Sequence, residues 1–234
     1  MARKRSLDEG PAVRQSILDA GARLYSDRGF RATSIRELAD AAGISSSTMY
    51  HHFANKQEIL YAILMDFMRS FVGEIVPVLM EHTRSPQDRI AEAVRLHLWI
   101  SERDRLKLVI GAPLRYELSE DQRLSLAGLQ RLYRDAFCGA IEDGVHQGSF
   151  EAANPRLSTV AVLDMLNGVR EWIDPDGPTS YDEIVRYYQS LVLRQLTAAV
   201  PTPTTSRADA PAPAPTELPG GTVKSDLSGV TDDR

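Results

Sequence analysis

Four polar side chains in a short segment have the types and the spacing needed to contact the major groove of DNA. Ser47 and His51 are four residues apart, so in a helix they share one face, with Ser46 and Tyr50 beside them. Hydroxyls, a phenol and an imidazole can each donate or accept hydrogen bonds at base edges or phosphates. A short helix with this outer face is typical of a DNA-recognition helix.

The residues before this segment predict the elements that position it. Ser34 can cap a helix, with Glu37 as its reciprocal partner three residues later. Gly43 is the residue type that best tolerates the left-handed conformation of a tight turn. Ser45 can then cap the next helix, whose inward face carries Met49. Two short helices joined by a tight turn predict a helix-turn-helix.

Length and composition favour a globular protein of one large or two small domains. The chain has 234 residues, of which 43% are hydrophobic and 25% charged. It contains no run of 18 apolar residues, and no hydrophobic segment follows the charged N-terminus. We therefore expect a soluble cytoplasmic protein that does not bind membranes. The single cysteine, Cys138, cannot form an internal disulfide and is interpreted as part of the core.

The net charge of −5 is unevenly distributed along the chain. Residues 1–56 hold nine Lys or Arg against six Asp or Glu, a net charge of +3. The remaining residues hold 18 against 26, a net charge of −8. A basic N-terminal module on an acidic remainder is the distribution expected when one end binds phosphates.

Capping residues and apolar periodicity predict helices along the whole ordered part of the chain and no strand. Pro11 is expected in the first turn of the first helix, which should end at Gly29. Asn55 opens the longest apolar periodicity, which Pro77 should kink or end. A short helix over residues 106–110 should be closed by its following glycine and proline. Further helix starts are expected at Ser85, Ser119, Asn154 and Ser180. This pattern predicts an all-α protein of about nine helices.

The same residues resemble the TetR family of bacterial transcriptional regulators. The resemblance rests on a helix ending in RGF, the run ATSIRELADAAGISSSTMYHHFANKQEIL, an apolar fourth helix and an all-helical C-terminal part. It implies a homodimer that binds double-stranded operator DNA and a small-molecule effector. The expected organisation is a basic flexible arm (1–10), a helix-turn-helix domain (11–56), a ligand-binding and dimerisation domain (57–200) and a disordered tail rich in Pro, Thr and Ala (201–234).

The resemblance also assigns DNA contacts. Hydroxyls and the Lys56 ammonium, at the start of a helix, are expected to hold phosphates, which positions the protein without specifying sequence. Three serines stand where many members carry longer side chains, so base specificity is left to Arg36, His51, Thr48 or DNA shape. The full set of predicted DNA-binding residues is Thr33, Ser34, Arg36, Ser45, Ser46, Ser47, Thr48, Tyr50, His51, His52 and Lys56.

The C-terminal run MLNGVREWIDPDGPTSYDEIVRYYQSLVLRQL resembles a TetR subgroup in which several members sense acyl-CoA thioesters. A small hydrophobic or acyl-CoA-type effector is therefore expected. Candidate pocket residues line or interrupt apolar stripes of the central helices, although plain core packing is the simpler interpretation of each: Phe67, Phe71, His97, Tyr116, Phe137, Asn167 and Arg170. Trp172, Tyr187 and Leu191 on the last two helices are candidate dimer contacts, with contact to the ligand as the alternative for most of them.

Other classes of protein are less well supported by the sequence. The chain has no G-x-S-x-G, phosphate-loop, H-E-x-x-H or nucleotide-binding motif, so no enzyme and no cofactor are predicted. Its five histidines are not spaced as metal ligands. A helical ligand-binding or scaffolding protein without DNA regulation is the alternative, but the polar outer face around Tyr50 argues against it. We predict a ligand-responsive repressor that an effector releases from a near-palindromic operator.

Overall fold

The computed structural model describes residues 5–174 and 177–198. Within these ranges the chain forms nine α-helices, a short 3₁₀ turn and no strand, which confirms the predicted all-α class. Residues 1–4 of the predicted arm and the predicted tail lie outside the described residues. The elements are, in order, α1 (Arg5–Arg28), α2 (Ile35–Ala41), α3 (Ser46–His52), α4 (Lys56–Leu79), α5 (Pro86–Arg103), α6 (Arg105–Leu114), the 3₁₀ turn (Arg115–Glu117), α7 (Glu120–His146), α8 (Pro155–Trp172) and α9 (Tyr181–Thr197).

Helices α1 to α3 form the head (residues 5–55), and its turns are fixed by the predicted caps. The Ser34 hydroxyl accepts the Glu37 N–H at 3.2 Å, and the Glu37 carboxylate accepts the Ser34 N–H at 2.8 Å. Gly43 ends the turn after α2 with a φ of 70°, a conformation that a side chain would strain. The Ser45 hydroxyl accepts the Thr48 N–H at 3.1 Å and opens α3. These contacts confirm the helix-turn-helix.

Proline and glycine were poorer guides to helix ends than the caps were to helix starts. Helix α1 begins six residues before Pro11, so residues 5–10 of the predicted flexible arm are helical. Helix α6 passes through Gly111 and Pro113, where an end was predicted. Helix α4 ends two residues beyond Pro77, close to the predicted position. A helix keeps such residues where packing of its apolar face outweighs a lost hydrogen bond.

Helix α4 belongs to two hydrophobic cores. Its N-terminal half, from Ile59 to Met65, lies in the head core with residues of α1, α2 and α3. Its C-terminal half, from Phe67 to Leu79, lies in the core of the body (residues 56–174 and 177–198) with α5, α7, α8 and α9. Met68 packs against both cores. A displacement of α4 therefore acts on both cores at once.

Helix α6 and the residues after it also reach the head core. Ile110 and Leu118 are buried there. A Cβ placed on Gly111 would lie 3.2 Å from Leu64 Cδ2, so α6 approaches α4 closely at this point. In the body, α7 packs along α4, and α5 lies between α4 and α9. No helix within the described ranges combines the length and apolar character of a membrane-spanning segment.

Candidate DNA interface and ligand-binding region

The outer face of α3 is polar and exposed, as predicted. Ser46, Ser47, Tyr50 and His51 all lie at the surface, and Tyr50 is 57% exposed although its ring is large and aromatic. Met49, on the opposite face, is fully buried in the head core. The helix therefore has one face fixed by packing and one face of hydrogen-bonding groups free to enter a groove.

The predicted contacts on α2 and at the end of α3 are also accessible. Arg36 is exposed on α2, and His52 is half-buried at the end of α3. Ser34 is exposed, but both its N–H and its hydroxyl bond to Glu37. Hydrogen bonds from the Ser34 backbone and side chain lower the pKa of the Glu37 carboxyl, which Arg28 lowers further. Ser34 thus holds the start of α2.

Thr33 is placed differently from the prediction. Its side chain is 1% exposed, and its hydroxyl donates to the Gly29 carbonyl oxygen at 2.9 Å. The hydroxyl therefore has a main-chain partner inside the protein, and its contact with a phosphate stays a prediction. The acceptor lies only four residues back, but the burial of Thr33 depends on how the turn between α1 and α2 folds back on α1. Thr33 fixes that turn.

Lys56 is likewise turned inward. Its ammonium donates to the carbonyl oxygens of Phe30 at 2.9 Å, Arg31 at 3.2 Å and Thr33 at 3.0 Å. An ammonium has three N–H donors, so these bonds use all of them. The ammonium also lies 4.6 Å from the centre of the Phe30 ring. Lys56 thus ties the start of α4 to the turn between α1 and α2, and its contact with a phosphate stays a prediction.

In the body, four of the predicted pocket residues come together in one buried aromatic cluster, which we define as Phe67, Phe71, His97, Tyr133 and Phe137. The Phe71 ring stands edge-on to the His97 and Tyr133 rings, with both centroid distances 5.1 Å. The His97 Nδ1 and the Tyr133 hydroxyl lie 2.9 Å apart. Tyr133 was not predicted, although its spacing of four residues before Phe137 on α7 was a usable sign.

The polar pair inside this cluster is uncharged. His97 is only 2% exposed, and burial, with a smaller contribution from the Arg170 charge, lowers the pKa of its imidazole to about 3. Burial likewise raises the pKa of the Tyr133 phenol far above its ordinary value. The cluster therefore offers hydrogen-bonding groups without charge, surrounded by aromatic rings.

Asn167 and Arg170 line a narrow cleft beside this cluster, between α5, α6 and α8. Its free volume is only about 10 Å³, which is room for roughly one water molecule. A ligand can enter only if the cleft widens. Tyr116, predicted to line the pocket, is 70% exposed, lies against Arg115 and is not among the residues that line this cleft. Within the described parts of the chain, no group of three or more His, Cys, Asp and Glu side chains is arranged to hold a metal.

Comparison with known proteins identifies the family. The model "Bacterial regulatory proteins, tetR family" matches residues 17–63, and "Tetracyclin repressor-like, C-terminal domain" matches residues 83–196. The solved structure of the TetR family transcriptional regulator PfmR from Thermus thermophilus is 32% identical, with a TM-score of 0.70. That match covers 76% of this chain and 97% of PfmR. The chain belongs to the TetR family of transcriptional regulators.

Other similar proteins are named as repressors or as activators. The HTH-type transcriptional repressor KstR2 of Rhodococcus jostii is 27% identical over 186 residues, which are 79% of this chain and 91% of KstR2. The HTH-type transcriptional activator FasR of Mycolicibacterium smegmatis is also 27% identical, over 74% of this chain and 77% of FasR. The structure of AibR in complex with isovaleryl coenzyme A and operator DNA shares the fold at 24% identity and a TM-score of 0.66, over 79% of this chain and 97% of AibR.

This TetR-family chain also exposes apolar side chains on its last two helices. We define the α8–α9 surface by Leu157, Val160, Trp172, Tyr187 and Leu191. Trp172 and Tyr187 are 57% and 59% exposed, and Leu157 and Val160 are exposed as well. Leu191 is half-buried. The Trp172 ring stacks on Tyr188 at a centroid distance of 6.5 Å, so the aromatic side chains are held in place without being covered. Helices α8 and α9 contact each other, and exposed apolar side chains on neighbouring helices are typical of interaction surfaces.

Proposed function

We propose that this TetR-family regulator is a homodimeric repressor that an amphiphilic effector, of the acyl-CoA thioester class, releases from a near-palindromic operator. The observation that carries DNA binding is the exposed polar face of α3 above the fully buried Met49. The named relative KstR2 supports repression. The alternative of a ligand-binding protein without DNA regulation is not favoured, because it gives no role to that polar face.

Two kinds of DNA contact follow from the positions of the exposed side chains. Tyr50 and His52 contact phosphates, which orient the head without selecting sequence. Ser46, Ser47 and His51 on α3, with Arg36 on α2, contact base edges in the major groove. The two copies of α3 in a dimer enter successive major grooves, about one helical turn apart or slightly more.

The α8–α9 surface is the dimer interface in this proposal. Its exposed Trp172 and Tyr187 are the residue types that contribute most to protein interfaces. The same surface on a second chain is self-complementary across a two-fold axis. The support is the presence of four exposed and one half-buried apolar side chains on two helices that contact each other.

The effector proposal is supported by the chemistry of the aromatic cluster and the cleft. Phe71, Phe137 and their neighbours suit an apolar chain, and the uncharged His97 and Tyr133 suit a carbonyl oxygen more than a carboxylate. Arg170 lines the adjacent cleft, where a guanidinium can bind a phosphate or carboxylate. A molecule with an apolar end and an anionic end fits this order, and the AibR complex shows that a related fold holds an acyl-CoA.

Release of DNA requires only that the effector prefer one spacing of the two heads. The cluster residues Phe67 and Phe71 lie on α4, whose other half lies in the head core. The acyl part of an effector that inserts between these rings displaces α4 and, with it, the head. The two α3 helices then no longer match successive grooves.

The proposal is tested by fluorescence anisotropy with labelled DNA that flanks the gene of this protein, titrated with and without a panel of acyl-CoA thioesters. We expect tight, salt-dependent binding that at least one thioester weakens about tenfold or more. The variant Arg170→Ala should need more thioester for release while binding DNA normally without it. Arg131→Ala, which removes an exposed arginine on α7, is the matched control. Specific binding that no thioester weakens would discard the effector class and keep the regulator.

A further inference from the structure

One residue of the body contacts both segments that position the head. The Glu117 carboxylate, at Oε1, accepts the Arg31 Nε–H at 2.9 Å, and the Glu117 carbonyl oxygen accepts a hydrogen bond from Gln57 Nε2 at 2.6 Å. Arg31 lies in the turn between α1 and α2, and Gln57 in the first turn of α4. The residues joined are 86 and 60 positions apart in sequence. We call this set of contacts the Glu117 clasp.

Stability alone does not account for the clasp. The Arg31 side chain is 88% exposed and that of Glu117 26% exposed, and ion pairs at such positions contribute little to folding. An exposed arginine held in one direction loses side-chain freedom for a small energetic return. The contact is of interest for its position and not for its strength, because it joins the body to the turn between α1 and α2.

The turn between α1 and α2 in turn determines where the DNA-binding helices lie. Lys56 binds three of its carbonyl oxygens, at Phe30, Arg31 and Thr33. The next residue, Ser34, caps α2, and α2 leads through one tight turn into α3. A shift of this turn therefore shifts the polar face of α3.

The 3₁₀ turn that carries Glu117 also connects directly to the ligand-binding region. It follows α6, and Leu108 of α6 lines the cleft with Arg170. Further along α6, Ile110 is buried in the head core, and Gly111 lies too close to Leu64 for a larger side chain to fit without displacement. Widening the cleft therefore displaces α6, and α6 leads directly into the 3₁₀ turn that carries Glu117.

We propose that Glu117 is a coupling residue that transmits the displacement of α6 to the turn between α1 and α2, in parallel with the displacement of α4. This role rests on the proposed function, because it requires an effector in the body. Lys56 acts in the same device as a positioning residue: it makes the turn move as a unit with the start of α4. Without the clasp the effector still binds, but it moves the two heads less.

Glu117→Ala removes the side-chain contact with Arg31 and keeps the main-chain contact with Gln57. The test compares it with Glu120→Ala, which removes an exposed carboxylate three residues away on α7. The coupling ratio is the operator Kd with a releasing acyl-CoA thioester divided by the Kd without it. We expect Glu117→Ala to lower this ratio about fivefold or more and Glu120→Ala to leave it within about twofold of the wild-type value, inside ordinary surface-site variation. Arg31→Ala should lower the ratio as Glu117→Ala does, and the double variant should lower it no further. Equal ratios in wild type and Glu117→Ala would overturn the proposal.

Two further measurements distinguish this coupling role from a phosphate contact by Arg31 and from failure of the proposed effector class. If Arg31 contacted a phosphate, its removal would reduce the slope of log K against log salt by about 0.9; the clasp predicts an unchanged slope. Amide hydrogen exchange of the full chain without effector should be faster at residues 29–34 in Glu117→Ala than in the wild type or Glu120→Ala. This second readout needs no effector. If no thioester releases the wild type, unchanged exchange in Glu117→Ala still rejects the clasp, and faster exchange supports its hold on the turn while the effector class fails.

Discussion

The turn between α1 and α2 and the aromatic cluster use their buried polar groups in opposite ways. At the turn, Thr33 donates to Gly29, and Lys56 of α4 donates to three carbonyl oxygens, all of the main chain. In the aromatic cluster, the side chains of His97 and Tyr133 bond to each other. A side chain bonded to the main chain fixes a backbone conformation. Two side chains bonded to each other can instead break that hydrogen bond and form new ones with a ligand. The head is built to keep one geometry, and the centre of the body can take another.

The largest effect that tests this contrast is expected at a rigid point of the body. A Cβ on Gly144 would lie 2.0 Å from the Phe150 ring, so Gly144→Ala should lower the free energy of unfolding by about 3 kcal/mol. Gly139→Ala, on the same helix with nothing within 4 Å, is the control and should be neutral or slightly stabilising. Urea unfolding at constant protein concentration measures both. Similar urea midpoints for the two variants would show that the body can rearrange around an added methyl group at Gly144 as well, and not only at the aromatic cluster.

A second prediction concerns the exchangeable pair. Tyr133→Phe leaves the buried His97 imidazole without its partner and should cost about 1–3 kcal/mol, whereas changing both partners to apolar residues, His97→Leu with Tyr133→Phe, should cost less than the single change. The same urea experiment measures both. A double variant less stable than the single one would contradict the interpretation of His97 and Tyr133 as an isolated pair.

The pH dependence follows from the same group. Folding lowers the pKa of His97 from 6.5 to about 3, so between these values the unfolded chain binds a proton that the folded chain does not. His97 therefore does not reduce the free energy of unfolding above pH 6.5. As the pH drops from 6.5 towards 3, the free energy of unfolding falls by up to about 1.4 kcal/mol per pH unit. Unfolding measured between pH 7 and pH 5, above most carboxyl titrations, should show this slope in the wild type. The slope should disappear in the double variant.

The smallest effect is expected on the outer face of the head. Tyr50→Phe removes one exposed hydroxyl and should weaken operator binding by about 0.5–1.5 kcal/mol, roughly 2- to 10-fold, without changing folding stability. The salt slope should stay the same because no charge is removed. Tyr61→Phe on α4 is the control. Anisotropy titrations at three salt concentrations measure affinity and slope together, and unchanged affinity in Tyr50→Phe would remove this residue from the interface.

The parts of this fold that the sequence predicted depend on neighbours within four residues. Ser34 with Glu37, and Ser45 with Thr48, form their caps from groups three positions apart, and these helix starts were predicted correctly. The polar face of α3 follows from the helical period alone. The burial of His97 could likewise be expected from the sequence, because a polar residue that interrupts an apolar stripe is visible without knowing its partner; its contact with a ligand stays a prediction.

Several arrangements that the sequence did not indicate depend on distant contacts. The inward turn of Lys56 is set by carbonyl groups 23 to 26 residues away, and Glu117 meets partners 60 and 86 residues away. No local pattern specifies such contacts. Tyr116 was expected inside because it is aromatic, but the 3₁₀ turn directs it to the surface.

The sharing of α4 by two cores also determines how the molecule comes apart. Opening the head alone would require breaking α4 between Met65 and Phe67, where neither glycine nor proline interrupts the helix. If α4 stays intact, unfolding of one core pulls this helix away from the other core and exposes apolar side chains there as well. Amide protons in the middle of α4 should therefore exchange only when the whole chain unfolds, which makes the two functional halves a single cooperative unit. A protease cut in this helix would destroy both activities and would not liberate an independent DNA-binding fragment.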